Sequence, residues 1–481
     1  MNTLISRRDM IRQSFLGAAG LCLGGCIGGG AAIRALVASA SAPASTPVTT
    51  PAPAQQIPKV AGKAKSLIQV WLSGGPAHLD TFDPKPELGA DYCGPFLKPI
   101  ETNVRGIRIC EMLPLLAKQA DKYSIIRSMT HGSDAHETAT YMTQTGRRPG
   151  GQLVFPCAPA VVSLFKSYDG GYQGQLPPYI TLTEPLGRFD EAGFLGTRHR
   201  PFATGGDPAQ ERFIVEGIIA EEITDKQQRD RRELLSRLDT LLATHSRHSA
   251  LEAFARSRDQ AYDMIIGDGA KAFDLSGEKD DLRDRYGRAT MVQNPAMAAA
   301  TSRGARTTFG QSCLVARRLV ERGVPCVVIK YPGWDTHKDH FPEMKRMLPE
   351  FDQGLSALIQ DLSERGLLES TVVWCGGEFG RTPKVMPEAP WNGGRGHWGS
   401  VFSMLVAGGG FKGGQVVGAS DATGEAVKER PVYPCDLIGS IYQLLGIDLD
   451  ARLPNPQGLD VRVMPTVAEN VPSGGLLGEI M

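Results

Sequence analysis

Short apolar runs recur along the chain, and each stops at glycine or at a knot of polar residues. The first, Ser66-Leu67-Ile68-Gln69-Val70-Trp71-Leu72, runs into Gly74-Gly75-Pro76. Residues 123–127, 179–182, 326–331, 371–375 and 401–406 repeat the pattern. Runs of this length, rich in valine, isoleucine and aromatic residues, predict buried strands. Between them the apolar period changes. Leu348, Phe351, Leu355, Leu358, Ile359 and Leu362 fall at spacings of three and four, which predicts a helix with one buried face. Gly366, just past it, is a helix stop. Residues 312–322 and 436–445 read the same way. Strands alternating with helices predict an α/β fold, a mainly parallel sheet sandwiched by helices.

Two regions break the alternation. Residues 208–300 are charged and lack strand signals, and Leu234, Leu235, Leu238, Leu241 and Leu242 form an apolar stripe there. They predict a helical insertion beside the sheet, with a stripe too short to require a coiled-coil partner. The other region is the start of the chain. Ser6-Arg7-Arg8-Asp9 is a twin-arginine pattern, followed by a Gly/Ala-rich apolar run from 11 to 33. Residues 1–42 therefore read as an export signal, and the glycines in the run argue against a permanent membrane span. Ala38, Ala40 and Ala42 offer cleavage sites, whereas Leu23-Gly24-Gly25-Cys26 resembles a lipobox in which Cys26 would be acylated. Both endings are open. Residues 43–63, mostly Ser, Ala, Thr, Pro and Gln, predict a disordered tether with nothing to bury, and 64–481 is the globular body. That body is expected in the periplasm or cell envelope, delivered by the twin-arginine export machinery. It would touch membrane only through the signal or a lipid on Cys26.

Composition narrows the partners. The chain carries 52 basic and 52 acidic residues with no basic block, which speaks against nucleic acid. Its 56 glycines point to many tight turns near strand ends. The nine cysteines include no CxxC pair, so a thiolate zinc site has no support. Cys326 and Cys375 fall in apolar strands as core residues, and Cys93 and Cys110 are left open as a pair.

The chemistry concentrates just beyond the later strands. Trp334-Asp335-Thr336-His337 follows one strand, Gly377-Glu378-Phe379-Gly380-Arg381 follows another, and Gly396-His397-Trp398 flanks a third. Ends of parallel strands meet at one crevice, so two carboxylates and two imidazoles are expected to converge there. These are the ligand types that hold Zn, Mn or Fe. In an extended segment Asp335 and His337 point to one side and Thr336 to the other. Asp339 and His340 extend the cluster.

Several of these stretches together resemble a known family. They are the segment from Gly74-Gly75-Pro76-Ala77-His78-Leu79-Asp80 to Asp83-Pro84-Lys85-Pro86, Asp335-Thr336-His337, Gly377-Glu378-Phe379-Gly380-Arg381-Thr382-Pro383 and Gly408-Gly409-Gly410-Phe411-Lys412-Gly413-Gly414. Phe273-Asp274-Leu275-Ser276 and Arg285-Tyr286-Gly287 join them. The chain resembles the exported bacterial domain-of-unknown-function family fifteen-oh-one, grouped with the alkaline phosphatase-like superfamily of phosphatases and sulfatases. The resemblance covers residues 66–463 and implies the superfamily fold.

It also implies a site. The superfamily has an Asp ligand after the first strand, for which Asp80 is the candidate here. Capping of the turn into Pro84 is the other reading for Asp80 and Asp83. Asp335, His337 and His397 match further metal ligands. Glu378 stands where the superfamily has an Asp, but Phe379 occupies the place of its neighbouring His. The related family usually reads Gly-Arg-Asp-His-Trp around the last ligand, whereas Gly394-Arg395-Gly396-His397-Trp398 lacks that carboxylate. Arg381 and Arg395 are read either as anion-binding groups or as ion-pair partners of the site carboxylates.

The nucleophile of superfamily hydrolases lies at a helix start, and here that position holds His136, with Ser133 and Thr138 nearby. Imidazole can ligate a metal or form a phosphohistidine, but it cannot become the aldehyde hydrate that sulfatases use. The catalytic candidates are thus His136, Thr138 and Arg381, and the metal candidates Asp80, Asp335, His337, Glu378 and His397. Two functions stay open. One is an exported hydrolase of small phosphate or sulfate esters using a divalent metal, Zn or Mn. The other is a non-catalytic exported protein of the same fold, acting as a binding or structural partner.

Overall fold

In the computed structural model the described residues are 62–481, apart from 184–186, 188–190, 211–212, 214, 216–222, 239–257, 259–260, 263, 266, 268 and 289–308. The expected signal and most of the tether, with Cys26 and the alanine cleavage sites, lie outside them, as do Leu241 and Leu242.

Eight strands make the central sheet: β1 (Ser66–Leu72), β2 (Tyr123–Met129), β3 (Tyr179–Leu182), β4 (Phe202–Ala203), β5 (Cys326–Tyr331), β6 (Thr371–Gly376), β7 (Phe402–Ala407) and β8 (Gln415–Val417). Across the sheet they run β8-β2-β7-β6-β1-β5-β3-β4. In the middle, β1 pairs parallel with β5 and β6, Val70 lying opposite Ile329 and Cys375. Only β7 runs backwards within the sheet, antiparallel to both β6 and β2. An apolar run does not show its direction, so the sequence predicts this strand but not its reversal.

Alternation along the strands feeds two cores. Ile68, Val70 and Leu72 pack on one face, Leu67 on the other. The first face is covered by α3 (Phe309–Glu321) and α4 (His340–Glu364). The second is covered by α2 (Ala158–Lys166) and α5 (Pro434–Leu444), while α1 (His136–Thr145) follows β2. Burial on both faces is why the central strands read as continuous apolar runs rather than alternating ones.

Helix α4 starts well before its clearest apolar stripe and passes through Pro349, where a missing N–H favours a break. His340, Phe341, Met344, Met347 and Leu348 are buried ahead of it, so packing continues the helix. Within 208–300 the described residues include helices Asp225–Leu238 and Asp280–Tyr286 and no strand. Leu234 and Leu235 are exposed on the first of these. Cys93 and Cys110 are buried and unpaired. No helix among the described residues is long and apolar enough to cross a membrane.

Candidate metal centre

Five segments reach the edge of the sheet where the parallel strands end. β1 leads to Gly74, β5 to Asp335, β6 to Glu378 and β2 to His136 at the start of α1. The fifth is the approach to β7. Because β7 is reversed, its first residues lie at this edge, and Phe402 sits opposite Met129 at the end of β2. His397, just before β7, is thereby carried to the same place.

Four side chains meet there. His136 Nε2 lies 3.3 Å from Asp335 Oδ2. His397 Nε2 and His337 Nε2 each lie 3.1 Å from Asp335 Oδ1, and they are 2.9 Å from one another. His136, Asp335 and His397 each offer a ligand atom within 4.8 Å of the others. Donors on one zinc ion, each about 2.1 Å from it, are no more than about 4.2 Å apart. The separations of 2.9–3.3 Å at Asp335 and between His337 and His397 fit that limit.

The far side of two rings fixes their protonation. His136 Nδ1 is 2.8 Å from Glu378 Oε1, and His397 Nδ1 is 2.7 Å from the carbonyl oxygen of Asp134. Both partners only accept, so each Nδ1 carries a proton, and Nε2 is the nitrogen that each ring presents to Asp335 and to any metal bound there. This is how metal-ligating histidines are oriented. Lone pairs on His337 and His397 at 2.9 Å repel unless a cation or proton lies between them. The donor set fits a divalent metal.

Asp335 is held ionised. Burial pushes its carboxyl up, but Arg381 outweighs this, with help from His397 and His136, and brings it to about 2. The hydrogen bond to Glu378 raises the His136 pKa against burial, whereas burial lowers that of His337. Phe379 is fully buried and forms a wall, its ring stacked 4.5 Å from that of His397 and tilted 4.9 Å from that of His136.

Close backbone approach assembles the loops. Gly74 has φ +108°, and a Cβ there would meet the Asp335 backbone nitrogen at 2.3 Å. Its own N–H donates to Glu378 Oε1 at 3.0 Å. A Cβ on Gly394 would meet the His337 carbonyl oxygen at 1.8 Å. Successive short-range bonds, Thr336 N–H to Trp334 O and His337 N–H to Asp335 O, curl the ligand segment. Even so, Asp335 and His337 share a side, while the Thr336 hydroxyl bonds His340 Nδ1 at 2.6 Å.

Some expected residues stand elsewhere. Asp80 does not join the cluster. It is fully buried, with Oδ2 2.7 Å from His340 Nε2 and 2.8 Å from Arg395 Nε. Glu378 is buried and acts through His136, taking no place among the converging donors. Arg381 is not free to hold an anion: its donors go to Gly74, Gly75 and Arg395 carbonyl oxygens and to Asp335. Arg395 is likewise buried, serving Tyr92, Thr382, Pro383 and Asp80. Thr138 lies in the first turn of α1, half-buried.

Sequence reasoning missed Asp134, whose carbonyl orients His397, and His131, whose Nε2 lies 2.7 Å from the Glu378 carbonyl oxygen. His131 shares the signal that found Asp335, a polar residue just past a strand. A backbone carbonyl leaves no trace in residue identity.

The fold is thus that of an α/β protein with a cluster of imidazoles and a carboxylate at the ends of its strands. The chain belongs to the family described as protein of unknown function (DUF1501), whose model matches residues 64–473. No curated protein matches it. Similar solved structures include the lipoteichoic acid synthase LtaP from Listeria monocytogenes, at 10% identity and TM-score 0.35, covering 85% of this chain and 76% of that one. The PsFucS1 sulfatase from Pseudoalteromonas sp. gives 13% identity and TM-score 0.35 over 87% and 73% of the two chains. An alkaline phosphatase from the Antarctic bacterium TAB5 gives 10% and 0.33 over 80% and 99%.

Proposed function

We propose that this protein is an exported, metal-dependent hydrolase of phosphoric or sulfuric esters. The observation that carries the reading is the cluster itself. Three imidazole Nε2 atoms face a carboxylate whose side chain is 45% exposed, beside the start of α1. His136, His337, His397 and Asp335 would hold one divalent ion, Zn or Mn. Such an ion supplies Lewis-acid polarisation of a phosphoryl or sulfuryl oxygen.

The chain's own groups do the rest. Glu378 keeps the His136 proton on Nδ1, and the Asp134 carbonyl does the same for His397. Arg381 holds Asp335 as the carboxylate. Ala135 gives α1 no side-chain cap, so first-turn N–H groups favour an anionic oxygen at this end. Trp391, 6.2 Å from the His337 ring, offers an apolar side to the organic part of a small ester. The twin-arginine pattern and the apolar run after it support a working site outside the cytoplasm.

One observation favours a second reading, a non-catalytic metal-holding protein. His136, Asp335 and His397 converge, with His337 Nε2 3.1 Å from Asp335; were His337 to join them, four protein donors would close the shell, the usual form of structural zinc. The deciding experiment is elemental analysis of the exported protein together with turnover of a panel of aryl phosphates and sulfates. About one metal per chain and turnover lost in Asp335→Asn support the hydrolase. Metal without turnover on the whole panel replaces it with the closed-shell protein, and a folded protein that takes up no metal removes both.

A further inference from the structure

A second cluster lies beneath the loop that carries Asp335 and His337. Asp80 Oδ2 sits 2.7 Å from His340 Nε2, and His340 Nδ1 sits 2.6 Å from the Thr336 hydroxyl. A carboxylate only accepts, so Nε2–H donates to Asp80, and Nδ1 then accepts the Thr336 O–H. Thr336 stands between two ligand candidates and faces away from both. Arg395 closes the arrangement. Its guanidinium donates to Asp80 Oδ1 at 3.0 Å through Nη2, and its backbone N–H donates to the Thr336 carbonyl at 3.2 Å. The side chains of Asp80, His340 and Arg395 are each at most 1% exposed, and no solvent competes for these bonds.

We infer that Asp80, His340 and Thr336 form a buried relay that holds Asp335 and His337 in ligating position, His340 and Thr336 being positioning residues for the metal. This rests on the metal-centre reading above. Trp334 N–H and Asp339 N–H tie the two ends of the loop to the Ser73 and Trp391 carbonyls, but between them Thr336 and His337 N–H make short i-to-i+2 bonds, which hold a backbone poorly. Gripping Thr336 from below on both hydroxyl and carbonyl fixes the turn of the chain that sets where the flanking side chains point. Asp80 thereby acts on the metal at one remove, through two hydrogen bonds rather than through a ligand bond.

The test separates geometry from bulk stability. Thr336→Val keeps the shape and removes the hydroxyl donor, whereas Thr336→Ser keeps the donor. Zinc affinity of the full exported chain is measured by competition with a chromophoric chelator, beside the melting temperature of the metal-free forms. Thr336→Val should lower affinity about 10–100-fold, the range for outer-shell partners, and Thr336→Ser should restore it to within about threefold. Unchanged affinity in Thr336→Val overturns the relay while leaving the metal centre standing. Equal losses in the valine and serine variants overturn it too, since the hydroxyl would then not be the cause. A wild-type protein that binds no zinc or manganese overturns the metal reading and the relay together.

Discussion

Asp80 and Asp335 follow neighbouring strands, and each is held by a buried arginine and by histidine. Asp80 has no exposed side-chain surface and meets Arg395 and His340, while Asp335 is 45% exposed and meets Arg381 and three imidazole nitrogens. The residue types are the same, yet the first group closes on itself. Every polar end of Asp80 finds a protein partner, so nothing is left to bind. At Asp335 the imidazole nitrogens converge on the carboxylate at 3.1–3.3 Å, and two of them stand 2.9 Å apart, an arrangement that a shared proton or a cation holds together. Solvent access and the direction of the lone pairs, not the kind of residue, separate a joint from a binding site.

The comparison breaks most readily on stability. Asp80→Ala strands Arg395 and His340 in the core, and breaking a buried pair of this kind costs about 3–5 kcal/mol. Asp335→Asn should cost only about 1–2 kcal/mol, because solvent screens the half-exposed carboxylate and Arg381 keeps its carbonyl acceptors. Urea unfolding of metal-free proteins measures both, and equal losses would erase the distinction. Metal affinity should show the reverse order of importance. His397→Ala is expected to lose more than the ~100-fold upper range of outer-shell changes.

Glu378→Gln sharpens the boundary. It keeps the shape and removes the charge that orients His136, so zinc affinity should fall about 10–100-fold. A loss as deep as that of His397→Ala would make Glu378 a ligand. A smaller effect comes from acid. Asp335 has a depressed pKa of about 2, so its stabilising contribution is present above its ordinary value near 4 and is lost as pH falls through about 2. Stability of metal-free Asp335→Asn, followed by circular dichroism, should therefore depend less on pH in that window. An identical pH slope in wild type and variant would remove the Arg381 grip on Asp335. Thr138→Val should change least, by under about 0.5 kcal/mol and with no change in zinc affinity, as it touches none of the converging atoms. Lost metal in that variant would widen the site along α1.

Much of this was legible in residue order. The strands, the α/β layering and the Asp335, His337 and His397 cluster follow from apolar runs and from the polar residues that end them. Asp80 misled because a carboxylate after the first strand looks the same whether it meets a metal or a buried arginine. What decides is Arg395, far along the chain, with a guanidinium that has no exposed surface. Arg381 shows the same limit: sequence leaves it open as an anion receptor or an ion-pair partner, and only its carbonyl contacts decide. His136 was legible as chemistry but not as role, since its direction is set by Glu378 on another strand's loop.

The reversal of β7 has a consequence for assembly. His397 reaches the other donors only when β7 has slotted between β2 and β6, so no partly folded chain with that gap unfilled owns the full set. Metal free energy enters folding only through the state that holds every ligand. An ion at this centre is therefore a latch on the strand that completes the middle of the sheet. Its removal should speed hydrogen exchange first in Phe402–Ala407, ahead of β1 and β5, whose pairing with each other does not depend on that strand.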